Sequence, residues 1–290
     1  MKTKNIEQIA APRPAHFVGD GFRVHNFIPG IPGMSMQRMD PFIMFDYNSK
    51  YHFGPSEIPR GVGVHPHKGF ETVTIAYKGR VEHGDSSGGG GIIGEGDVQW
   101  MTAASGVLHK EFHETTWSKT GGEFQMVQLW VNLPAEAKKG APKYQAIEQA
   151  QMSQYPLEHD LGFVEVIAGE YKGAKGPAST FTPIHMSNLK AKTGALVSYD
   201  FPMEYNTLLL VLEGTINVNG RAVLQDHVAV MAHDGEEFTI EVTEDAVVLV
   251  LSGLPIKEPI AHYGPFVMNT QEELLQAFDD FNTGKFGTWN

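Results

Sequence analysis

The chain has 290 residues, 41% of them apolar, with 22 basic and 34 acidic side chains (a formal net charge of −12), thirteen histidines and no cysteine. That apolar fraction excludes a disordered chain, and the length allows one large domain or two of ordinary size. The acidic balance argues against broad binding of nucleic acid or anionic membrane, and the lack of cysteine excludes a disulfide scaffold, a thiolate metal site and a cysteine nucleophile.

Met1 to Asp20 lacks the apolar stretch of about 7–15 residues that marks a secretory signal. The longest apolar runs, such as Leu208–Leu212 and Ala246–Leu251, are far below the roughly 18 residues of a membrane span. A cytoplasmic protein is expected.

Taken in chain order, short runs rich in Val, Ile, Leu, Phe, Thr and Tyr predict strands at Thr72–Tyr77, Gln125–Val131, Gly162–Ile167, Ala195–Tyr199, Leu208–Leu212, Thr215–Val218, Phe238–Val242 and Val247–Leu251. Ala135–Lys139 and Glu148–Gln154 read as short helical turns. Asn219-Gly220 and Asp234-Gly235 are two-residue hairpin signals, since both central residues of that turn need positive φ. The one substantial helix is predicted from Gln271 to about Phe281, with Thr270 and Glu273 forming a capping box, Leu274, Phe278 and Phe281 on one face, and Gly284 just beyond its end.

A weak internal repeat relates Ile75–Val81 to Leu210–Ile216, with Gly79 matching Gly214 at a separation of 135 residues. Asp97–Met101 relates to His227–Met231 at a separation of 130 residues. This reads as two copies of one β-barrel unit, joined between Lys143 and Asp160, with domains of 1–145 and 146–290.

Six of the thirteen histidines fall between His52 and His113. Strand side chains alternate, so His65 and His67 share a face, as do His109 and Glu111. Two such strands facing one another offer three imidazoles and one carboxylate to a single point, a set suited to a borderline divalent metal: Fe(II), Ni(II), Mn(II), Co(II), Cu(II) or Zn(II). Glu71 shares the parity of His65 and His67, and is a ligand candidate if the strand runs straight through Gly69. His113 shares the parity of His109 and belongs, on that reading, behind the ligands. His52 and His83 have no partner at strand spacing and read as surface or loop residues. A formal GxGxxG at Gly89, Gly91 and Gly94 lacks the following helix that a phosphate site requires, and reads as a hairpin loop.

The run His65-Pro-His-Lys-Gly-Phe-Glu-Thr-Val-Thr74, followed by Gly96-Asp-Val-Gln-Trp-Met-Thr102 and Gly106-Val-Leu-His109-Lys-Glu111, resembles the pirin family of the cupin superfamily. Asp40-Pro-Phe-Ile-Met-Phe-Asp46, Gln128-Leu-Trp-Val-Asn-Leu133, Glu258-Pro-Ile and Gly264-Pro-Phe-Val-Met-Asn-Thr270 extend the resemblance to the C-terminal region. Ala104 departs from it, standing where many pirins have glycine.

The resemblance implies an all-β bicupin: two antiparallel double-stranded β-helix (jelly-roll) barrels packed face to face, with a short C-terminal helix. It implies one metal, foremost Fe(II), held by His65, His67, His109 and Glu111, and it sets Glu71 aside. In the second barrel the repeat maps His65 and His67 to Asp200 and Pro202, and His109 and Glu111 to Thr239 and Glu241, so no metal is expected there. The implied activity is that of a quercetin 2,3-dioxygenase, opening a flavonol with dioxygen and releasing carbon monoxide, with Glu111 as the proton acceptor. Phe53, Trp100, Met101, Phe112, Phe124 and Met126 are candidates for the wall around the flat substrate. The implied alternative is a non-catalytic, iron-binding, redox-responsive regulator whose partner is a transcription factor or metabolic enzyme. A monomer is expected in either case.

Overall fold

The computed structural model describes residues 2–289. It is built almost wholly from antiparallel strands in two compact units. The larger unit comprises Arg13–Gln149 and the segment from Ile256 onward, and the smaller comprises Ala150–Pro255 and the N-terminal residues through Pro12. The sequence-based division at 145/146 therefore differs from the structure at both chain ends. The strand Ile6–Ala10 pairs with Val228–Met231 in the smaller unit, and its Ile6 joins that unit's core. In the larger unit, Asp40 accepts the backbone N–H groups of Ile256 and Lys257, and Val267 packs with Met36, Ile43 and Phe70.

Two large sheets and the short hairpin of Ala261–Tyr263 with Phe266–Met268 form the larger unit. One has seven strands, in the order Lys143–Ile147, Val98–Thr102, Phe70–Lys78, Gly122–Asn132, Phe42–Phe53, Phe22–Ile28 and His16–Val18. The other has four: Gly61–His67, Val107–His113, Val81–Asp85 and Gly90–Ile93. Its last hairpin, Val81–Asp85 with Gly90–Ile93, holds the glycine run, as a hairpin reading requires. Gly90 and Gly91 both take positive φ there. The smaller unit has the short hairpin of Glu170–Tyr171 with Ala174–Lys175 and a nine-stranded sheet whose long strands, Asn206–Val218 and Glu237–Gly253, each span two of the predicted strands. Glycine at Gly214, with φ +76°, lets the first of these bend without ending, because an added Cβ would strike the Asp245 carbonyl oxygen.

The repeat is visible in register. Ile75 pairs with Val98 in the larger unit, and its counterpart Leu210 pairs with Val228, the counterpart of Val98. Asn219-Gly220 turns the hairpin between Asn206–Val218 and Arg221–Leu224, both residues at positive φ. Asp234-Gly235 does not form one. It is a bend in which Asp234 accepts hydrogen bonds from the backbone and side chain of Asn5, and Gly235 gives room to the Thr3 carbonyl.

The C-terminal helix runs Gln271–Asn282 with both halves of the Thr270/Glu273 capping box present. Leu274 and Ala277 face the core, while Phe281 lies largely on the surface. Two further short helices, Met36–Met39 and Thr115–Thr120, have no 3.6-residue apolar pattern to announce them. Ala104, the departure from the family pattern, takes φ +41°, a left-handed conformation that glycine adopts more readily. No helix among the described residues is long and apolar enough to cross a membrane.

Candidate metal centre

Both strand pairs predicted to carry ligands are neighbours in the four-stranded sheet. Gly61–His67 lies antiparallel to Val107–His113, with His65 opposite His109 and His67 opposite Val107. A bulge between His109 and Glu111 adds a residue to the partner strand, at Gly63 and Val64. His65, His67 and His109 each offer a ring nitrogen, and all three atoms lie within 4.8 Å of one another. Among the described residues this is the one cluster of metal-ligand type.

The orientation of the His65 ring is set by a backbone carbonyl. His65 Nδ1 donates to the Gly63 carbonyl at 2.8 Å, which leaves its Nε2 lone pair directed at the cluster, 2.9 Å from His67 Nε2. Burial holds the His67 imidazole well below its ordinary pKa, with His65 and His109 adding to the effect. Burial, then His65, pushes His109 down to about 3. Three ring nitrogens this close together, two of them on buried imidazoles held in the neutral form, suit a cation placed between them. This donor set fits a divalent transition metal.

Glu111 lies on the same face of its strand as His109, with Val107, Glu111 and His113 alternating inward. Its Oε1 accepts from Thr74 Oγ1 at 3.2 Å and its Oε2 from Gln128 Nε2 at 2.8 Å. It lines a cavity of about 310 Å³ together with His65 and His67. The rest of that wall is mainly apolar, from Val18, Phe22, Val24, Met44, Val62, Met126, Trp130 and Pro265, with Gln128 and Asp46 as further polar groups.

Glu71 is elsewhere. The chain turns at Lys68 and Gly69 (φ +90°) to enter the seven-stranded sheet at Phe70, so parity does not carry from His67 to Glu71. Thr74 reaches the Glu111 carboxylate, and Glu71, of opposite parity, points to the other face. There it is buried and accepts from Thr102 Oγ1 at 2.7 Å. Burial raises its carboxyl to about 7 against that hydrogen bond.

His113 is also not behind the ligands. It sits among Phe22, Phe53, Trp117 and Phe124 and donates from Nε2 to the Gly21 carbonyl. His52 is exposed, on a strand. His83, read from sequence as a surface or loop residue, is instead buried on the Val81–Asp85 strand opposite Glu111, with Nε2 2.9 Å from the Tyr144 hydroxyl.

Of the six wall candidates, Met126 alone lines the cavity. Phe53 and Phe124 belong to an adjoining core cluster, and Met101 to another. Trp100 is buried without facing the cavity, and Phe112 alternates away from Glu111.

The residues that sequence reasoning missed form a row. Gln99, Thr74, Gln128, Asp46 and Asn26 are direct partners across five consecutive strands of the seven-stranded sheet. Gln99 Nε2 approaches His109 Nε2 at 3.5 Å, while Thr74 and Gln128 hold Glu111. Asn26 Nδ2 donates to Asp46 Oδ1 at 2.7 Å, and burial raises the Asp46 carboxyl to about 6. The row has little signal in the sequence, because each of these strands carries other polar residues too, such as Arg23, Asn48, Glu71, Thr102 and Gln125.

Comparison with known proteins identifies relatives along nearly the whole chain. Residues 21–131 match the family Pirin, and residues 186–287 match the Pirin C-terminal cupin domain. A Pseudomonas aeruginosa protein, whose name assigns it provisionally as a quercetin 2,3-dioxygenase, is 46% identical over 93% of this chain and 94% of its own length. A pirin-like protein of Caulobacter vibrioides is 37% identical over 92% of this chain and 94% of its own. The crystal structure of a quercetin 2,3-dioxygenase from Acinetobacter baumannii is 47% identical, with a TM-score of 0.93 over 99% of each chain.

Proposed function

The chain belongs to the pirin family, with two cupin barrels, and from that premise we propose that it is a metal-dependent dioxygenase that cleaves flavonols such as quercetin with dioxygen and releases carbon monoxide. The carrying observation is the cluster of His65, His67 and His109, of which His65 and His67 line one mainly apolar cavity together with the hydrogen-bonded carboxylate of Glu111. In this reading His65, His67, His109 and Glu111 hold the metal, Fe(II) foremost, with Ni, Mn, Co, Cu and Zn admitted by the same donors. Bound there, the cation supplies Lewis acidity toward an enol oxygen and a redox partner for dioxygen.

The protein's own share is positional. Thr74 and Gln128 hold one oxygen each of Glu111, so the carboxylate is aimed before substrate arrives. When it loosens from the metal it can take the proton of a hydroxyl entering the cavity, which is the general-base role. Val24, Met44, Met126 and Trp130 give apolar surface to a flat ring system and keep water from it. A cavity of about 310 Å³ is at the lower end of the usual range for single small ligands.

The test is loss of flavonol absorbance with matching dioxygen uptake by iron-loaded protein. Both are expected to fall at least a hundredfold in His67→Ala and Glu111→Gln proteins of native circular dichroism. Metal-loaded protein that turns over no member of a flavonol panel would refute the enzyme reading and favour the iron-dependent regulator.

A further inference from the structure

The polar row on the seven-stranded sheet continues past the groups that serve the candidate metal ligands. Gln99, Thr74 and Gln128 are occupied with His109 and Glu111. Asp46, directly opposite Gln128, is one strand further away, roughly 5 Å on from Gln128 and 10 Å from Thr74. Its side chain lines the same cavity as His65, His67 and Glu111. Asn26 fixes Oδ1 through a 2.7 Å hydrogen bond, and Asn26 is itself anchored by donating to the Ile28 carbonyl at 2.9 Å. Oδ2 has no hydrogen-bond partner among the described residues.

A carboxylate with one oxygen held and the other open to a mainly apolar cavity offers an acceptor to a hydroxyl of a bound ligand. Ligand cavities of this kind fix orientation with a few polar groups set in apolar surface. We propose that Asp46 is a specificity-determining residue: it accepts a hydrogen bond from a second hydroxyl of the substrate, on the part of the ring system remote from the oxygen presented to the metal. The inference rests on the flavonol reading and sharpens it. The preferred substrate is a polyhydroxylated aromatic enol, with a phenolic donor about 5–10 Å from its metal-binding oxygen, and a ring system bearing the enol alone is a poor one.

The discrimination has a physical scale. A site built to bond a hydroxyl rejects the analogue lacking it, because the bound analogue covers the free carboxylate oxygen without giving it a donor. With one Asp46 oxygen already satisfied by Asn26 and the residue only partly buried, a ratio of about ten to a hundred is expected.

The experiment uses the full iron-loaded chain with quercetin and with 3-hydroxyflavone, which carries the chelating hydroxyl and no other. Dissociation constants are measured anaerobically and kcat/KM in air, for wild type, Asp46→Asn and Asp46→Ala, each at matched iron content. Wild type is expected to prefer quercetin at least tenfold. The preference is expected to fall tenfold or more in Asp46→Ala and by less in Asp46→Asn, whose amide oxygen still accepts. A preference unchanged in both variants overturns the assignment. Binding ratios that collapse as stated in a protein without turnover would retain Asp46 and remove the dioxygenase reading. Turnover with unchanged ratios would do the reverse, and a wild type that binds neither flavonol would overturn both.

Discussion

Glu71 offers a test in which fold and site are read together. Its carboxyl titrates near 4.5 ordinarily and at about 7 in the fold, because burial disfavours the charged form more than the Thr102 hydroxyl supports it. The folded state therefore holds a proton that the unfolded chain has released, over the window from about pH 4.5 to 7. Stability falls as pH rises through that window, and the full loss is about 3 kcal/mol. Between pH 5 and pH 8 the share lost is about 2–3 kcal/mol. Glu71→Gln removes the titration while keeping an oxygen for Thr102 to donate to. Other groups titrate in both proteins and cancel in the comparison. The assay is urea denaturation of metal-stripped protein at the two pH values. All four tryptophans (Trp100, Trp117, Trp130 and Trp289) belong to the larger unit, so their fluorescence follows the unit that holds Glu71. The variant is expected to gain about 2–3 kcal/mol on wild type between pH 5 and pH 8. It is also expected to bind metal with wild-type stoichiometry. Parallel pH profiles would show that the buried charge is compensated, and a lost metal would restore Glu71 to the ligand set.

Two further outcomes follow from side chains behind the site. Gln128→Leu removes the donor to Glu111 Oε2, and metal affinity, measured by competitive chelation, is expected to fall about 10–100-fold with the fold intact. Lys138 Nζ donates to the Gly69 carbonyl, Asn132 Oδ1 and the Val267 carbonyl at 2.7, 2.7 and 3.0 Å, all buried. Lys138→Met leaves those acceptors without their common donor, and a loss of about 3 kcal/mol or more is expected from tryptophan-detected denaturation.

Strand parity was enough to bring His65, His67 and His109 together, because a period of two is a local property and both strand segments are nearly straight where it counts. It misled at Glu71, where one residue, Gly69, changes the sheet and resets the count. His83 was illegible for a different reason: Tyr144, its hydrogen-bond partner, is 61 residues away in sequence. The wall of the cavity failed likewise. Phe53 and Phe124 are aromatic residues of the right half, yet which face they take depends on bulges in the Gly122–Asn132 ladder that no local pattern records. The exchange of chain ends was equally hidden, since Ile6 and Val267 show only that each terminal segment is apolar, not which core receives it.

The repeat lets the chemistry of the two barrels be compared position by position. In the larger unit the row through Thr74 is Gln99, Thr74, Gln128, Asp46 and Asn26. Following the same pairings from Leu209, the counterpart of Thr74, the row in the smaller unit is Ala229, Leu209, Val250, Ser187 and Val166. Four of these five belong to that unit's hydrophobic core. The fifth, Ser187, is already engaged by His185 Nε2 at 2.8 Å. The framework is thus indifferent to the chemistry: the same register packs as an apolar layer in one barrel and presents amides, a hydroxyl and a carboxylate in the other. A buried anion such as Glu111 requires donors on the facing sheet, and a row of alkyl side chains has none to give. Placing three histidines and a glutamate on the Leu196–Asp200 and Glu237–Gly253 strands would therefore not suffice to build a second centre. The carboxylate already standing at the matching position, Glu241, is exposed and accepts from Asn217 Nδ2 at 3.3 Å, so it draws on no donor from that row.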